Sequence, residues 1–273
     1  MKKSALVNIM GGFGNQVFQY CFANFLKQKG INVKVNTLWF KKNTKFPRNE
    51  IFPPSVYDCT KAGKVTLKKY ELLNRYLNNE YIYSMFDDNN FIFPPKAIFN
   101  EFNGYWQDVE YINSSKDYLL NCLTNIDEIN QSIMIEPDES SVMIHVRRTD
   151  YVEIGESLSV DYFEAAMNEM RSKIKEPKFT VFTDDESWVK QNKIFQKINK
   201  IYSPSDAYDD TVKTFSRMLH NKHYILSNST FSLLAAFLKT DESSITILPD
   251  PWMRKKNKNF ELLFKNPIKI NNI

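Results

Sequence analysis

The stretch ALVNIMGGFGNQVFQYCFANFLKQKGINVKV (residues 5–35) decides the fold class. Residues 5–10 read as a buried strand. Glycines 11, 12 and 14 follow at once, three of only seven in the chain. From Asn15 to Lys29 the residues Val17, Phe18, Cys21, Phe22, Phe25 and Leu26 recur with the period of one helix face. Gly30, after Lys27 and Lys29, predicts the helix stop, and INVKV (31–35) predicts a second strand. The order is strand, tight glycine loop, helix, strand, which is the opening of an α/β chain.

The second half repeats that alternation. VMIHVR (142–147), KFTVFT (178–183), KIYS (200–203), HYILS (223–227) and SITIL (244–248) read as strands. Helical patterns over 160–174, 186–196, 209–221 and 230–239 separate them, a spacing that implies parallel pairing in an α/β layer sandwich. Residues 38–135 are rich in aromatics, Asn and Lys and are punctuated by Pro53-Pro54 and Pro94-Pro95. Irregular structure is expected there, with helices over 68–77 and 114–126. Glu136-Pro137-Asp138-Glu139 marks the expected boundary between two domains, 1–138 and 139–273.

Composition narrows the function. The chain has 273 residues, 42% apolar and 14% aromatic, enough for a sizeable core. Its net charge of +4 is too small to argue for nucleic acid, and its aromatics do not alternate with cations as in a strand-binding groove. Cys21, Cys59 and Cys122 form neither a metal spacing nor a disulfide framework, which suits a reducing compartment. The start MKKSALVNIMGG does not read as a secretory signal, and no apolar run approaches the roughly 18 residues of a bilayer span. A cytoplasmic protein is expected. The basic stretch Arg254 to Lys269 serves either solubility or contact with an anionic inner membrane face.

Four clusters at strand ends could carry chemistry. GGFGNQ (11–16) lets the backbone approach a ligand, with Gly12, Gly14, Asn15 and Gln16 at the helix entry, or it is a tight turn that packs helix on strand. It is no dinucleotide fingerprint, since Val17 stands where the third glycine belongs and Asn36 where the acid belongs. HVRRTDY (145–151) puts His145 and Arg147 on one strand face, and Arg147 and Arg148 at its carboxyl end. Their planar donor forks suit a phosphate or diphosphate, and the alternative is a salt bridge to Asp150. In FTDDE (182–186), Asp184 and Asp185 could bind a base or ribose, or start a helix as its cap. In LSNSTF (226–231), Ser227, Asn228, Ser229, Thr230 and Phe231 lie where a helix begins, so hydroxyls and amides meet its positive end. HNKH (220–223) is not a metal site, because His223 begins a strand. A cleft between two α/β domains that holds a nucleotide diphosphate would use all four clusters.

Together with GYWQ (104–107) and HNKHYILSNSTFSLLAAFL (220–238), these motifs resemble, in order, the α-1,2-fucosyltransferases of glycosyltransferase family 11. HVRRTD also resembles the arginine motif of α-1,6- and protein O-fucosyltransferases. The resemblance implies a GT-B-like architecture, two Rossmann-type domains facing a cleft, with an acceptor-side N-terminal domain and a donor-binding C-terminal one. It implies an inverting transfer of L-fucose from GDP-fucose to the 2-hydroxyl of a terminal galactoside, in an oligosaccharide or a lipid-linked glycan, without a cofactor or required metal.

Carried over by position, Arg147 and Arg148 meet the diphosphate, Ser227 to Phe231 wrap the phosphates, and Asp184 or Asp185 with His145 recognises the nucleoside side. Gly12, Gly14, Asn15 and Gln16 face the donor from the other domain, and Tyr105, Trp106 and Gln107 lie on the acceptor side. Thr149 stands where the family usually has Gly, which would narrow the acceptor side, and Leu233-Leu234 stand where it has a Trp pair.

Transfer through an oxocarbenium-like state builds charge on the departing phosphate, which fixed cations and helix-end donors must stabilise. The proton of the acceptor hydroxyl goes to Asp150 as base, or to the departing phosphate. Two other readings remain: a transferase of another nucleotide sugar on the same fold, and a non-catalytic glycan-binding protein.

Overall fold

The computed structural model describes residues 3–41, 48–76, 82–85, 98–198, 200–203, 208–255 and 258–272. Pro94-Pro95, Leu77 and Lys256, invoked above, lie outside the described residues. The chain divides into two compact units, Met1–Asn125 and Ile126–Ile273.

The N-terminal unit runs β1 (Ser4–Asn8), α1 (Phe13–Gln28), β2 (Asn32–Asn36), β3 (Thr60–Lys61), α2 (Lys64–Tyr76), β4 (Ile82–Met85), β5 (Phe99–Phe102), α3 (Val109–Asn113) and α4 (Lys116–Leu123). Among the described residues its sheet is parallel, in the order β3-β2-β1-β5-β4. The strand–helix–strand opening is therefore as the apolar pattern predicts, but α1 begins two residues earlier, at Phe13. Gly12 caps it and Gly14 falls inside its first turn. The backbone demand sits at Gly11, whose φ is +80°, and a Cβ there would lie 3.0 Å from both Asn15 Nδ2 and the Tyr105 ring. At the other end Gly30 takes φ +77°, and the amides of Gly30 and Ile31 donate to the carbonyls of Lys27 (2.8 Å) and Leu26 (3.2 Å), a Schellman stop.

Twelve of the 16 residues of α1 are buried, so its polar side chains need partners. Gln19 takes the amide of Met10 at 2.8 Å and donates to Gly104 O at 3.0 Å. Gln16 donates to the carbonyls of Gly11 (3.0 Å) and Asn49 (2.8 Å) and accepts from the amide of Ile51 (3.1 Å). Asn36 donates to Asn8 Oδ1 at 2.7 Å, and Asn8 donates to Glu101 at 2.9 Å. The position where a dinucleotide fold would carry its acid thus belongs to a polar ladder across β2, β1 and β5.

The C-terminal unit runs α5 (Asp127–Met134), β6 (Asp138–Val146), α6 (Thr149–Glu153), α7 (Val160–Lys173), β7 (Lys178–Thr183), α8 (Glu186–Gln191), β8 (Lys200–Tyr202), α9 (Tyr208–Met218), β9 (Asn221–Ile225), α10 (Thr230–Lys239), β10 (Thr246–Asp250) and β11 (Pro267–Asn271). Its sheet is also parallel among the described residues, in the order β11-β10-β9-β6-β7-β8. Val142, Ile144 and Val146 of β6 pack with Val181, Ile225 and Ile247 against Tyr162, Phe163, Ala166 and Met167 of α7. Leu233 and Leu234, in place of the expected Trp pair, are fully buried on α10.

The division falls at Asn125/Ile126, ahead of the Glu136–Glu139 boundary expected from sequence. The reason is α5, which packs on α9. Lys239 Nζ donates to the carbonyls of Ile133 (2.7 Å) and Ile135 (2.6 Å), and His220 bonds Ser132 at 3.0 Å. The region expected to be irregular contains β4 and β5, and β5 lies beside β1 in the middle of its sheet. The basic C-terminal stretch runs into β11, and its exposed cations find partners on the surface of their own unit. Arg254 donates to Gly155 O at 2.7 Å, and Lys269 pairs with Asp250 at 3.1 Å.

In the N-terminal core, Phe22 stacks on Trp106 (centroids 4.1 Å apart) and meets Phe102 edge-on at 5.2 Å. We expect Phe22→Ala to cost about 4 kcal/mol, as cavity formation under a buried ring does. A urea titration should show an earlier midpoint, and an unchanged midpoint would contradict this packing.

Candidate active site

Strands β6 and β7 end side by side, and the residues just beyond them lock together. Arg147 Nη1 pairs with Asp184 at 2.9 Å and its Nη2 with Asp150 at 2.6 Å. The amide of Arg148 donates to Asp184 Oδ1 at 2.8 Å, and Thr149 Oγ1 donates to Asp184 Oδ2 at 2.5 Å. Arg148 Nε pairs with Asp185 at 3.1 Å, while its guanidinium lies over Trp188, 4.2 Å from the ring centroid. Burial works against the charge on Arg147, but Asp184 and then Asp150 outweigh it and hold its pKa above the ordinary value.

The structural alternatives for these carboxylates, helix cap and salt bridge, are the ones observed. Asp185 caps α8, accepting from the amide of Trp188 at 3.0 Å. Asp150 is the salt-bridge partner of Arg147. Thr149 supplies a hydroxyl to Asp184. Two guanidiniums against three carboxylates leave one formal negative charge in the cluster. An anion brought here therefore relies on directed N–H groups and on the neighbouring helix end rather than on net charge.

That helix is α10, in the turn after β9. Ser229 caps it, accepting from the amide of Phe231 at 3.4 Å, and Thr230 is its first residue. Ser227 is fully buried, and its hydroxyl bonds His145 Nδ1 at 2.6 Å. Asn228 donates to Glu156 O at 2.8 Å, and its carbonyl accepts from Tyr151 OH at 3.1 Å. The Asn228 side-chain oxygen is buried without a hydrogen-bond partner among the described residues. Phe231 stands edge-on to His145, 6.2 Å between centroids. Burial, with Arg147 as a second like-signed cause, pushes the imidazole of His145 down to about 3 despite the opposing pull of Asp184. The ring is neutral at neutral pH. His220 and His223 serve the fold: His223 accepts from the amide of Ile245 at 3.0 Å and bonds Glu139 O at 2.9 Å.

In the N-terminal unit the glycine turn and GYWQ come together where β1 and β5 end. Gln107 Nε2 donates to Asn15 Oδ1 at 2.8 Å, and the Tyr105 ring lies against Gly11. Tyr105 is 42% exposed. Trp106, expected on the acceptor side, has φ +53° and is fully buried with its ring stacked on Phe22. Gln16 also faces inward, its amide spent on the backbone of its own unit.

The structure thus brings His145, Arg147, Arg148, Asp150, Asp184, Asp185 and Ser227 to Phe231 to one edge of the C-terminal sheet. Gly12, Gly14, Asn15, Tyr105 and Gln107 gather separately in the N-terminal unit. Sequence reasoning gave no role to Tyr151, Trp188 and Glu156. Tyr151 lies inside the arginine motif, whereas Glu156 in its loop carries no local signal. Among the described residues no group of three or more His, Cys, Asp or Glu is arranged to hold a metal, and no helix is long and apolar enough to cross a membrane.

Guanidinium forks and a capped helix start thus stand at the carboxyl ends of parallel strands, the edge at which α/β proteins in general take ligands. The family model described as glycosyl transferase family 11 matches residues 1–267. The chain belongs to glycosyltransferase family 11. An alpha-1,2-colitosyltransferase from Escherichia coli is 25% identical to it, over 93% of this chain and 94% of its own. The O-antigen biosynthesis glycosyltransferase WbnK from the same organism is 26% identical over 92% and 95%. Galactoside alpha-(1,2)-fucosyltransferase 2 from Sus scrofa is 25% identical over a shorter stretch, 37% of this chain and 32% of its own.

The depressed pKa of His145 has a signed consequence. Between its unfolded value near 6.5 and about 3, only the unfolded chain binds that proton, so stability falls as pH drops through this window and is unaffected above it. We expect His145→Gln to flatten this part of the pH–stability profile relative to wild type. Parallel profiles from denaturant midpoints between pH 7 and 4 would contradict the assignment.

Proposed function

We propose that the chain transfers L-fucose from GDP-fucose to the 2-hydroxyl of a terminal galactoside, in an oligosaccharide or a lipid-linked glycan, with inversion at the fucose anomeric carbon. The observation that carries the reading is the pair Arg147–Arg148, held by Asp184 and Asp185 beside the start of α10, in a chain of this family. The acceptor oxygen bonds to the anomeric carbon as the bond from that carbon to the β-phosphate oxygen breaks. Charge grows on the departing phosphate, where Arg147, Arg148 and the amides and hydroxyls of Ser229 and Thr230 lie ready to receive it. Asp184 acts on the donor through the arginines it orients, and Tyr105 and Gln107 are the acceptor-side groups.

Asp150 is the proposed base. Its carboxylate is 2.6 Å from Arg147 Nη2, so a phosphate that takes over that fork frees it for the acceptor hydroxyl. A second reading is favoured by the 25% identity to the alpha-1,2-colitosyltransferase: the same site takes a colitosyl donor. The glycan-binding alternative lacks such an observation.

Turnover of GDP-fucose, GDP-colitose, GDP-mannose and UDP-galactose against a panel of β-galactosides, followed by linkage analysis, separates these readings. We expect GDP-fucose to lead and the product to be α-1,2-linked. A preference for GDP-colitose supports the second reading, and glycan binding without GDP affinity or turnover supports the third. Arg147→Ala should lower turnover about 10²-fold or more, the loss typical of one preorganised donor. Near-normal turnover in the folded variant would refute its role. In the pH–rate profile Asp150→Asn should lose one limb, and an unchanged profile would pass the proton to the departing phosphate.

A further inference from the structure

Glu156 lies just beyond α6, in a loop whose sequence reads as solvated, yet it is 1% exposed. Its Oε2 accepts from the amide of Arg254 at 2.9 Å and its Oε1 from the amide of Lys255 at 3.2 Å. Its own amide donates to Tyr151 O at 2.8 Å, and its carbonyl accepts from Asn228 Nδ2 at 2.8 Å. Tyr151 OH closes the ring by donating to Asn228 O at 3.1 Å. From outside, Arg254 donates to the carbonyls of Gly155 (2.7 Å) and Ser157 (3.3 Å), and Lys255 Nζ to that of Ile154 (3.2 Å).

Three segments far apart in sequence therefore meet at one residue, whose carboxylate takes the amides of Arg254 and Lys255 and whose main-chain carbonyl takes the Asn228 side chain. The first leaves the arginine motif through α6, the second is the turn into α10, and the third is the chain after β10. A buried carboxylate is a costly way to hold a loop, since it must be hydrogen-bonded to be tolerated. An apolar side chain would serve packing alone. What the carboxylate provides is two directed acceptors for adjacent main-chain amides, which fixes where its own carbonyl meets Asn228.

We propose that Glu156 is a positioning residue of the donor site: by clasping residues 254–255 it fixes the loop after Arg147–Arg148 and the Asn228 turn before α10 as one rigid piece. The proposal rests on reading that edge as the donor site. It predicts that the two arms that grip a diphosphate lose their mutual geometry when Glu156 is removed, even while the sheet stays folded.

Calorimetric titration with GDP tests this on wild type, Glu156→Ala, Glu156→Gln and Met167→Ala, with melting temperatures measured alongside. Met167 is a buried core residue of α7 with no bond to Glu156, Asn228 or Arg254, and serves as the stability control. We expect Glu156→Ala to weaken GDP binding about tenfold or more, a loss in keeping with small misplacements at a preorganised site. Glu156→Gln keeps one acceptor and should lose about threefold. Met167→Ala should lower the melting temperature and leave GDP affinity unchanged. Wild-type affinity in both Glu156 variants, or an equal loss in Met167→Ala, would overturn the proposal. Should the alanine variant fail to fold, the glutamine variant decides: a threefold loss supports the role and unchanged affinity overturns it. If wild type itself binds no GDP, the donor reading fails, and this role with it.

Discussion

Asp184 is the pin on which the candidate site turns. One carboxylate accepts from a guanidinium, from the main-chain amide of Arg148 and from the Thr149 hydroxyl. These bonds join the end of β7 to the end of β6 and set the direction in which the arginines leave the strand. Charge-assisted bonds of this kind are short and directional, so they fix geometry as well as charge. A donor group held in place before its ligand arrives spends nothing on reorganisation when charge develops. The acids of the site therefore matter first as orienters of cations.

The electrostatics follow from the same arrangement. Because the cluster carries no positive excess, an anion drawn to it would be held by aimed N–H groups and the positive end of α10. His145 adds a neutral ring, pressed between Ser227 and Phe231, where a protonated one would add charge. Its neutrality is a product of burial. Glu156 bonds the Asn228 side chain through its carbonyl and the chain after β10 through its carboxylate.

Much of this is legible in sequence where chemistry and local geometry coincide. KFTVFT is rich in β-branched and aromatic residues and forms β7 over the same six residues. The arginines, the paired acids and LSNSTF each sit next to the strand end that presents them, so adjacency in sequence suffices. FNEF reads as irregular because two of its four residues are polar, and it becomes β5 only because β1 and β4 bracket it. PIKIN reads as a basic tail and becomes β11 by pairing with β10 at the sheet edge. Trp106 sits beside the exposed Tyr105 in sequence, but its ring is buried against Phe22 and Phe102. Glu156 is invisible for a different reason: its burial depends on amides about a hundred residues away.

The central claim is that a guanosine diphosphate is gripped at the carboxyl edge of the C-terminal sheet. A crystal structure of the chain with GDP measures this directly. The account predicts phosphate oxygens within hydrogen-bonding distance of Arg147 or Arg148 and of the Ser229–Thr230 amides. A nucleotide bound elsewhere, with the Arg147–Asp184 and Arg148–Asp185 pairs untouched and no phosphate beside them, would contradict it.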